Sequence, residues 1–242
     1  MNNDNSINTI DVVAIQRFFL GSSTGIANVG KYSFIPVSRT YSVMVSNQTG
    51  QNYDSLIFGD VAAPFTARPD SQSQDAIADS TAWNEIPSTV ASVALPNIVV
   101  DPSVTEFTAK VVTSVIDPRS NLIGFQGDLT FDSTALAFDS PPVQPAGLTS
   151  DSWNVSADIL PGTGPIRTLR VSAFSLDFAP LSGSGTLFEL RMTRLNKAGQ
   201  ITQLFWAPPP DHFIFIDADL NTERPVYTGP GSVSSDGSPG RR

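Results

Sequence analysis

Between Val93 and Val233 the chain keeps returning to one pattern, short runs of alternating apolar and polar residues punctuated by turn signals. The runs are Phe107 to Ile116, Leu122 to Phe131, Trp153 to Ile159, Leu169 to Phe174, Gly185 to Leu195, Ile201 to Trp206 and Phe213 to Ile216. Alternation at a period of two puts one set of side chains on a buried face and the other in water, which is the signature of a strand. The breaks, Asp117-Pro-Arg-Ser120, Pro161-Gly-Thr-Gly164 and Ser182-Gly-Ser-Gly185, are turns of the kind that join antiparallel strands. About 140 residues built this way predict a mainly β chain whose body is a two-sheet sandwich or jelly roll.

Composition narrows the chemistry. The 242 residues include no cysteine and one histidine, His212, so disulfides, thiol catalysis, cysteine-ligated zinc and histidine-rich metal sites are excluded. A formal charge of −9 argues against nucleic acid as a partner. No apolar run is long enough to span a membrane. Asn2, Asn3, Asp4 and Asn5 stand where a signal peptide carries basic residues, so an exported form is expected to be mature or truncated. No serine sits in a Gly-x-Ser-x-Gly elbow, and the four glutamates are scattered, although paired carboxylates are set by space and stay open. The expectation is a chain that is not an enzyme, with His212 at a strand edge. Asn47-Gln-Thr49 and Asn154-Val-Ser156 match the N-glycosylation pattern, a weak signal.

Ahead of the body, Val12 to Leu20 carries apolar residues at helical spacing, with Asp11 as the expected N-cap and Gly21 as the C-cap glycine. Lys31 to Pro36, Tyr41 to Val45 and Tyr53 to Phe58 read as short strands. The stretch from Ala62 to Ser92, rich in Pro, Asp, Ser and Gln, reads as a connector, either disordered or held in place by something else. The expected divisions are a loop and helix at 1–24, a small β segment at 25–61, the polar connector at 62–92, the sandwich at 93–233 and a flexible tail at 234–242.

Before the helix, oxygen side chains recur at alternate positions. Asn2, Asp4, Asn8 and Asp11, with the Ser6 carbonyl, suit calcium in an incomplete EF-type loop whose first acid would precede Met1; the other reading is a loop that caps the helix. Ile7-Asn-Thr-Ile-Asp11 and Gln16-Arg-Phe-Phe-Leu-Gly21 resemble one loop and helix of a dockerin. That resemblance implies partner-facing roles for Thr9, Ile10, Gln16, Arg17 and Phe18. Tyr32-Ser-Phe-Ile-Pro36, Ser38-Arg-Thr-Tyr41 and Thr49-Gly-Gln-Asn-Tyr53 resemble the closing strands of prealbumin-like surface repeats.

Asn121-Leu-Ile-Gly-Phe-Gln126, Asp128-Leu-Thr-Phe-Asp132, Leu136-Ala-Phe138, Trp153-Asn154, Arg170-Val-Ser-Ala-Phe174, Leu181 to Phe188 and Gly231-Ser-Val233 resemble, in order and spacing, the landmarks of a cohesin. The resemblance implies a nine-stranded jelly roll that binds a dockerin-like protein without catalysis, outside the cell or on a bacterial surface. Phe205 to Asp211 stands out as an insertion. Asp217, Asp219 and Asn221 repeat oxygen side chains at every second position, as a further calcium site or as an acidic hairpin turn. The expected function is a non-catalytic scaffold module for protein–protein interaction. A filament subunit that assembles head-to-tail on another copy of itself through the N-terminal segment and a carbohydrate-binding module are the alternatives.

Overall fold

The structure of the chain is a computed structural model that describes residues 7–19, 28, 31–41, 47, 49–58, 91–195, 200–209 and 211–235. It falls into two compact units, Met1–Trp83 and Asn84–Arg242. None of the described helices is long and apolar enough to cross a membrane.

In the first unit a helix, α1, runs over Thr9–Phe19. It starts three residues ahead of the expected Val12, and its N-cap is Asn8, not Asp11. Asn8 Oδ1 accepts the Ile10 N–H at 2.9 Å, and Asp11 Oδ2 accepts the Asn8 N–H at 3.1 Å. This is the reciprocal arrangement of a capping box, with Asp11 in the first turn, where its charge also faces the positive end of the helix. Ile10, Val13 and Ala14 are buried. Strands β1 (Tyr32–Ile35) and β2 (Asp54–Ile57) form an antiparallel ribbon, with Tyr32 opposite Ile57 and Ile35 opposite Asp54. The expected strand at 41–45 falls mostly outside the described residues, as does the connector except for its last two positions. Those two belong to the sandwich: Ala91 is buried and Ser92 opens its first strand.

Among its described residues the second unit is all β apart from two single-turn 3₁₀ segments. Strands β3 (Ser92–Ala94), β4 (Asn97–Val100), β5 (Glu106–Ile116), β6 (Leu122–Asp132) and β7 (Leu136–Pro145) come first. β8 (Trp153–Ile159), β9 (Ile166–Ser175), β10 (Gly183–Arg194), β11 (Ile201–Trp206) and β12 (Ile214–Asp217) follow. The last described strands are β13 (Thr222–Glu223), β14 (Val226–Tyr227) and β15 (Gly231–Ser235). One sheet has the order β14-β3-β5-β10-β7; the other runs β13-β12-β6-β11-β15-β4, with β9 on the far side of β6 and β8 beyond β9. The strand pattern thus forms the expected sandwich, and the jelly-roll character shows in how the sheets are joined. β3 and β4 lie in different sheets across Leu95-Pro96, and β13 and β14 do the same across Arg224-Pro225. Proline removes a ladder donor at each crossing, so the chain leaves one sheet and joins the other.

β7 is the strand least visible in the sequence, because Pro141, Pro142 and Pro145 interrupt its pattern. An edge position makes this tolerable, since only one side of the strand needs its N–H groups. Between the sheets, Phe125 is fully buried and its ring lies 5.4 Å from Phe213, 5.7 Å from Phe188 and 5.9 Å from Trp153. Leu129, Leu169, Val171, Leu190 and Met192 fill the remaining space. Beyond the end of β9, the Asp177 carboxylate accepts the Ala179 N–H and the Ser175 hydroxyl, and these hydrogen bonds hold its pKa below the ordinary 3.8.

Candidate functional site

The two outer faces of the sandwich differ in what they offer a partner. On the β5-β10-β7 sheet the polar side chains satisfy one another. Gln144 donates to Glu189 at 2.7 Å, Thr193 donates to Asp139 at 2.8 Å, and Arg191 donates to the Pro141 carbonyl at 3.2 Å.

The sheet made by β8, β9, β6 and the β11/β12 pair presents rows of mixed chemistry. Antiparallel register places Asn154, Phe174, Gly124 and Ile216 in one row and Ser156, Ser172, Gln126 and Ile214 in the next. Asp158, Arg170 and Asp128 follow, and then Thr168, Thr130 and Phe205. Residues directly opposite on antiparallel strands share a face. Their neighbours of the other parity, such as Leu169, Val171, Ala173 and Leu129, are buried in the core, so these rows look outward. Asn154, Ser156, Asp158, Arg170 and Phe205 are exposed, whereas Ile214 and Ile216 at the β12 end are buried. At the opposite end, by the β8–β9 turn, Ile166 shares the outward parity and stands 59% exposed, whereas Ile159, opposite Leu169, has the other parity. The face therefore carries a polar middle and an apolar end on a rigid sheet.

Asp128 organises the middle. Its buried carboxylate accepts the Arg170 Nε–H at 2.8 Å and an Arg170 Nη2–H at 2.7 Å, a bidentate pair, while the same Nη2 reaches Asp211 at 3.1 Å. The hydrogen bonds to Asp128, reinforced by Coulomb attraction from Asp128 and Asp211, raise the Arg170 pKa above its ordinary value. The Asp128 backbone does related work. Its carbonyl accepts the Ala207 N–H at 2.8 Å and its N–H donates to the Asp211 carbonyl at 2.9 Å.

The partner strand of β6 therefore leaves after Trp206, loops out, and returns at Ile214 with both ends of the loop tied to one residue. This loop is the Pro-rich insertion noted in the sequence. Gly127 is required there: a Cβ on it would lie 2.6 Å from Phe213 Cα. His212, expected at a strand edge, is buried at the foot of the loop, because the loop folds it inward next to Phe213.

The calcium readings meet the structure as follows. Asn2, Asp4 and Ser6 lie outside the described residues. Asn8 and Asp11 serve as caps for α1, which is the helix-capping alternative. At the other end, Asp217 Oδ1 accepts the N–H groups of Asp219 and Asn221, both at 2.8 Å, and Oδ2 accepts the Asn221 side-chain amide at 2.9 Å. Both carboxylate oxygens are occupied by donors that a cation would have to displace, and no group of three or more His, Asp or Glu converges among the described residues. The 217–221 segment is thus a turn closed on the Asp217 carboxylate, as in the acidic-hairpin reading. Of the partner-facing positions on α1, Thr9 and Ile10 are buried at 3% and 4% exposure and offer no free surface. Gln16 and Arg17 are half-buried; Phe18 lies in α1, its side chain outside the described residues.

The sequence reading did not single out the face rows. The signal was present as polar residues at the parity opposite the core, in Asn154-x-Ser156-x-Asp158 and Thr168-x-Arg170-x-Ser172.

No protein-family model matches the chain, and no curated protein does. Solved structures resemble it at low identity. A type I cohesin–dockerin complex from Clostridium thermocellum is similar over 61% of this chain and 99% of that chain, at 13% identity and a TM-score of 0.49. The CohA2 cohesin of Clostridium acetobutylicum covers 64% of this chain and 96% of its own, at 17% identity and a TM-score of 0.47. The cohesin module of a Clostridium perfringens family 33 glycoside hydrolase covers 62% and 100%, at 14% identity and a TM-score of 0.46. The assignment of a sandwich stands on the strand pairing described above.

Proposed function

We propose that this chain is a non-catalytic protein–protein interaction module of the cohesin kind, which receives a dockerin-like partner on the β8-β9-β6 face. The observation that carries the reading is that face itself. Exposed hydrogen-bonding groups at its centre, exposed Ile166 and Phe205 at its end, and a bidentate clip beneath make a preorganised surface. A protein interface needs this combination of apolar anchors and satisfied polar neighbours on a rigid support. The order of cohesin-like landmarks along the sequence supports the same reading, and the proposed setting is an extracellular or cell-surface assembly of a bacterium.

The test is a calorimetric titration of the intact chain with a panel of dockerin modules. Binding is expected with at least one, and Ser156→Arg on the exposed centre of β8 is expected to weaken it tenfold or more without changing the melting temperature. Absence of binding across the panel, or binding unaffected by substitutions on this face, would refute the proposal.

A further inference from the structure

Among the described residues, β1 and β2 pair only with each other, and a lone two-stranded ribbon in water is marginal. This one is also markedly apolar. Tyr32, Phe34, Ile35, Val37, Tyr41 and Tyr53 are between 42% and 89% exposed, and the rings of Tyr32 and Phe34 lie side by side, 6.1 Å apart and within 10° of parallel. Period-two alternation puts Tyr32 and Phe34 together on one face of the ribbon and Ile35 on the other, so the stacked, exposed aromatic pair is the apolar patch of its face. An exposed aromatic pair of this kind suits a docking surface.

Charge selects the occupant. Between positions 31 and 58 the charged residues are Lys31, Arg39 and Asp54, all exposed, so the ribbon is locally basic. Asn84–Arg242 is acidic, with sixteen Asp and Glu against ten Lys and Arg. The apolar end of its open face, Ile166 and Phe205, lies next to Asp132, opposite Ile166, and near the row in which Asp158 and Asp128 flank Arg170. Two ribbons facing each other would oppose like charges, whereas ribbon against face matches apolar with apolar and basic with acidic.

We infer that the β1–β2 ribbon of one copy docks on the apolar, acidic end of the β8-β9-β6 face of a second copy. The contact is heterologous and does not close on itself, so it builds a head-to-tail chain. The inference rests on the proposed use of that face for protein binding. It names the ribbon as the docking element of the N-terminal segment.

Light scattering on the full chain tests it. The wild-type mass should rise with concentration past that of a dimer, and the apparent dissociation constant should rise about tenfold between low and high salt. Tyr32→Ser with Phe34→Ser should give a monomer, and so should Asp158→Lys with Ile166→Ser. All four positions are exposed, so both variants should melt like wild type.

The decisive step is mixing. The first variant keeps an intact face and the second an intact ribbon, so the two together should form a one-to-one dimer. Three results overturn the inference: a wild-type chain monomeric at every concentration, a dimer plateau that survives the second variant, or an inert mixture. A monomeric chain that still binds a dockerin module through this face sinks the inference alone. Chain growth without dockerin binding supports it and sinks only the choice of partner made above.

Discussion

Gly127→Ala adds a single methyl group at the point where the loop after β11 returns to β6. A Cβ on residue 127 would stand 2.6 Å from Phe213 Cα, 2.9 Å from its Cβ and 3.0 Å from its N. Carbon atoms rest at about 3.5 to 4.0 Å, so the closest contact is short by about 1 Å, and two of the three atoms are backbone. No rotamer change relieves it. The entry to β12 must move away from β6, straining the hydrogen bonds of Ala207 and Asp211 to Asp128 and shifting Phe213 in the aromatic core. Overpacking of this kind costs about 1 to 3 kcal/mol, with this site at the upper end. For a unit of this size that corresponds to a fall of roughly 5 to 10 °C in melting temperature.

Gly162→Ala is the matched control, because its new Cβ meets nothing closer than Arg167 Nε at 3.8 Å, and its effect should stay within about 0.5 kcal/mol of zero. Differential scanning fluorimetry and urea titration on the full chain measure both. Trp206, whose ring lies 4.9 Å from that of Phe213, reports the local shift by fluorescence. If Gly127→Ala melts within a degree of wild type, the described approach of loop and strand is wrong.

Other outcomes follow from the same geometry. Phe125→Ala should destabilise the sandwich by about 3 to 5 kcal/mol in urea titration, and a loss under 1 kcal/mol would deny its place at the centre of the core. The carboxyl of Asp177 has a folded pKa below 3.8, so its contribution is present above that value and is lost as pH falls through the folded pKa. Melting temperatures from pH 5 to 2 should therefore fall less steeply for Asp177→Asn than for wild type, and identical slopes would count against the described hydrogen bonds. The 217–221 turn closes on its own donors, so excess calcium or a chelator should leave the melting of wild type and Asp217→Asn unchanged; a calcium-dependent rise abolished by that substitution would restore the cation site.

The body of the fold was legible because its information is local: alternation along each strand separates Leu169, Val171 and Ala173 from Thr168, Arg170 and Ser172 without any knowledge of neighbours. The start of α1 was misplaced because Asn8, Thr9 and Asp11 are polar, and a search for apolar spacing discards the capping residues that define the first turn. Asp11 attracted a calcium reading for a related reason, since an acid just before an apolar helix serves a cap or a cation equally well in one dimension. β7 hid behind its prolines, whose tolerance depends on an edge position that only the assembled sheet reveals. The candidate face was the hardest part to see. Asp158, Arg170 and Asp128 come from three strands, and Asp211 from a fourth segment, so their meeting is a matter of register and not of sequence spacing.

β4 and β15, from the two ends of the sandwich, run parallel side by side, with Asn97 opposite Ser232 and Val100 opposite Ser235. A pull that draws the incoming chain away from the outgoing chain slides these strands along each other. Their hydrogen bonds then carry the load together and must fail together, whereas a hairpin pulled open at its mouth gives way one pair at a time. Resistance to force follows the unfolding barrier and not the equilibrium stability. A module threaded this way can therefore hold under tension well beyond what its melting temperature suggests.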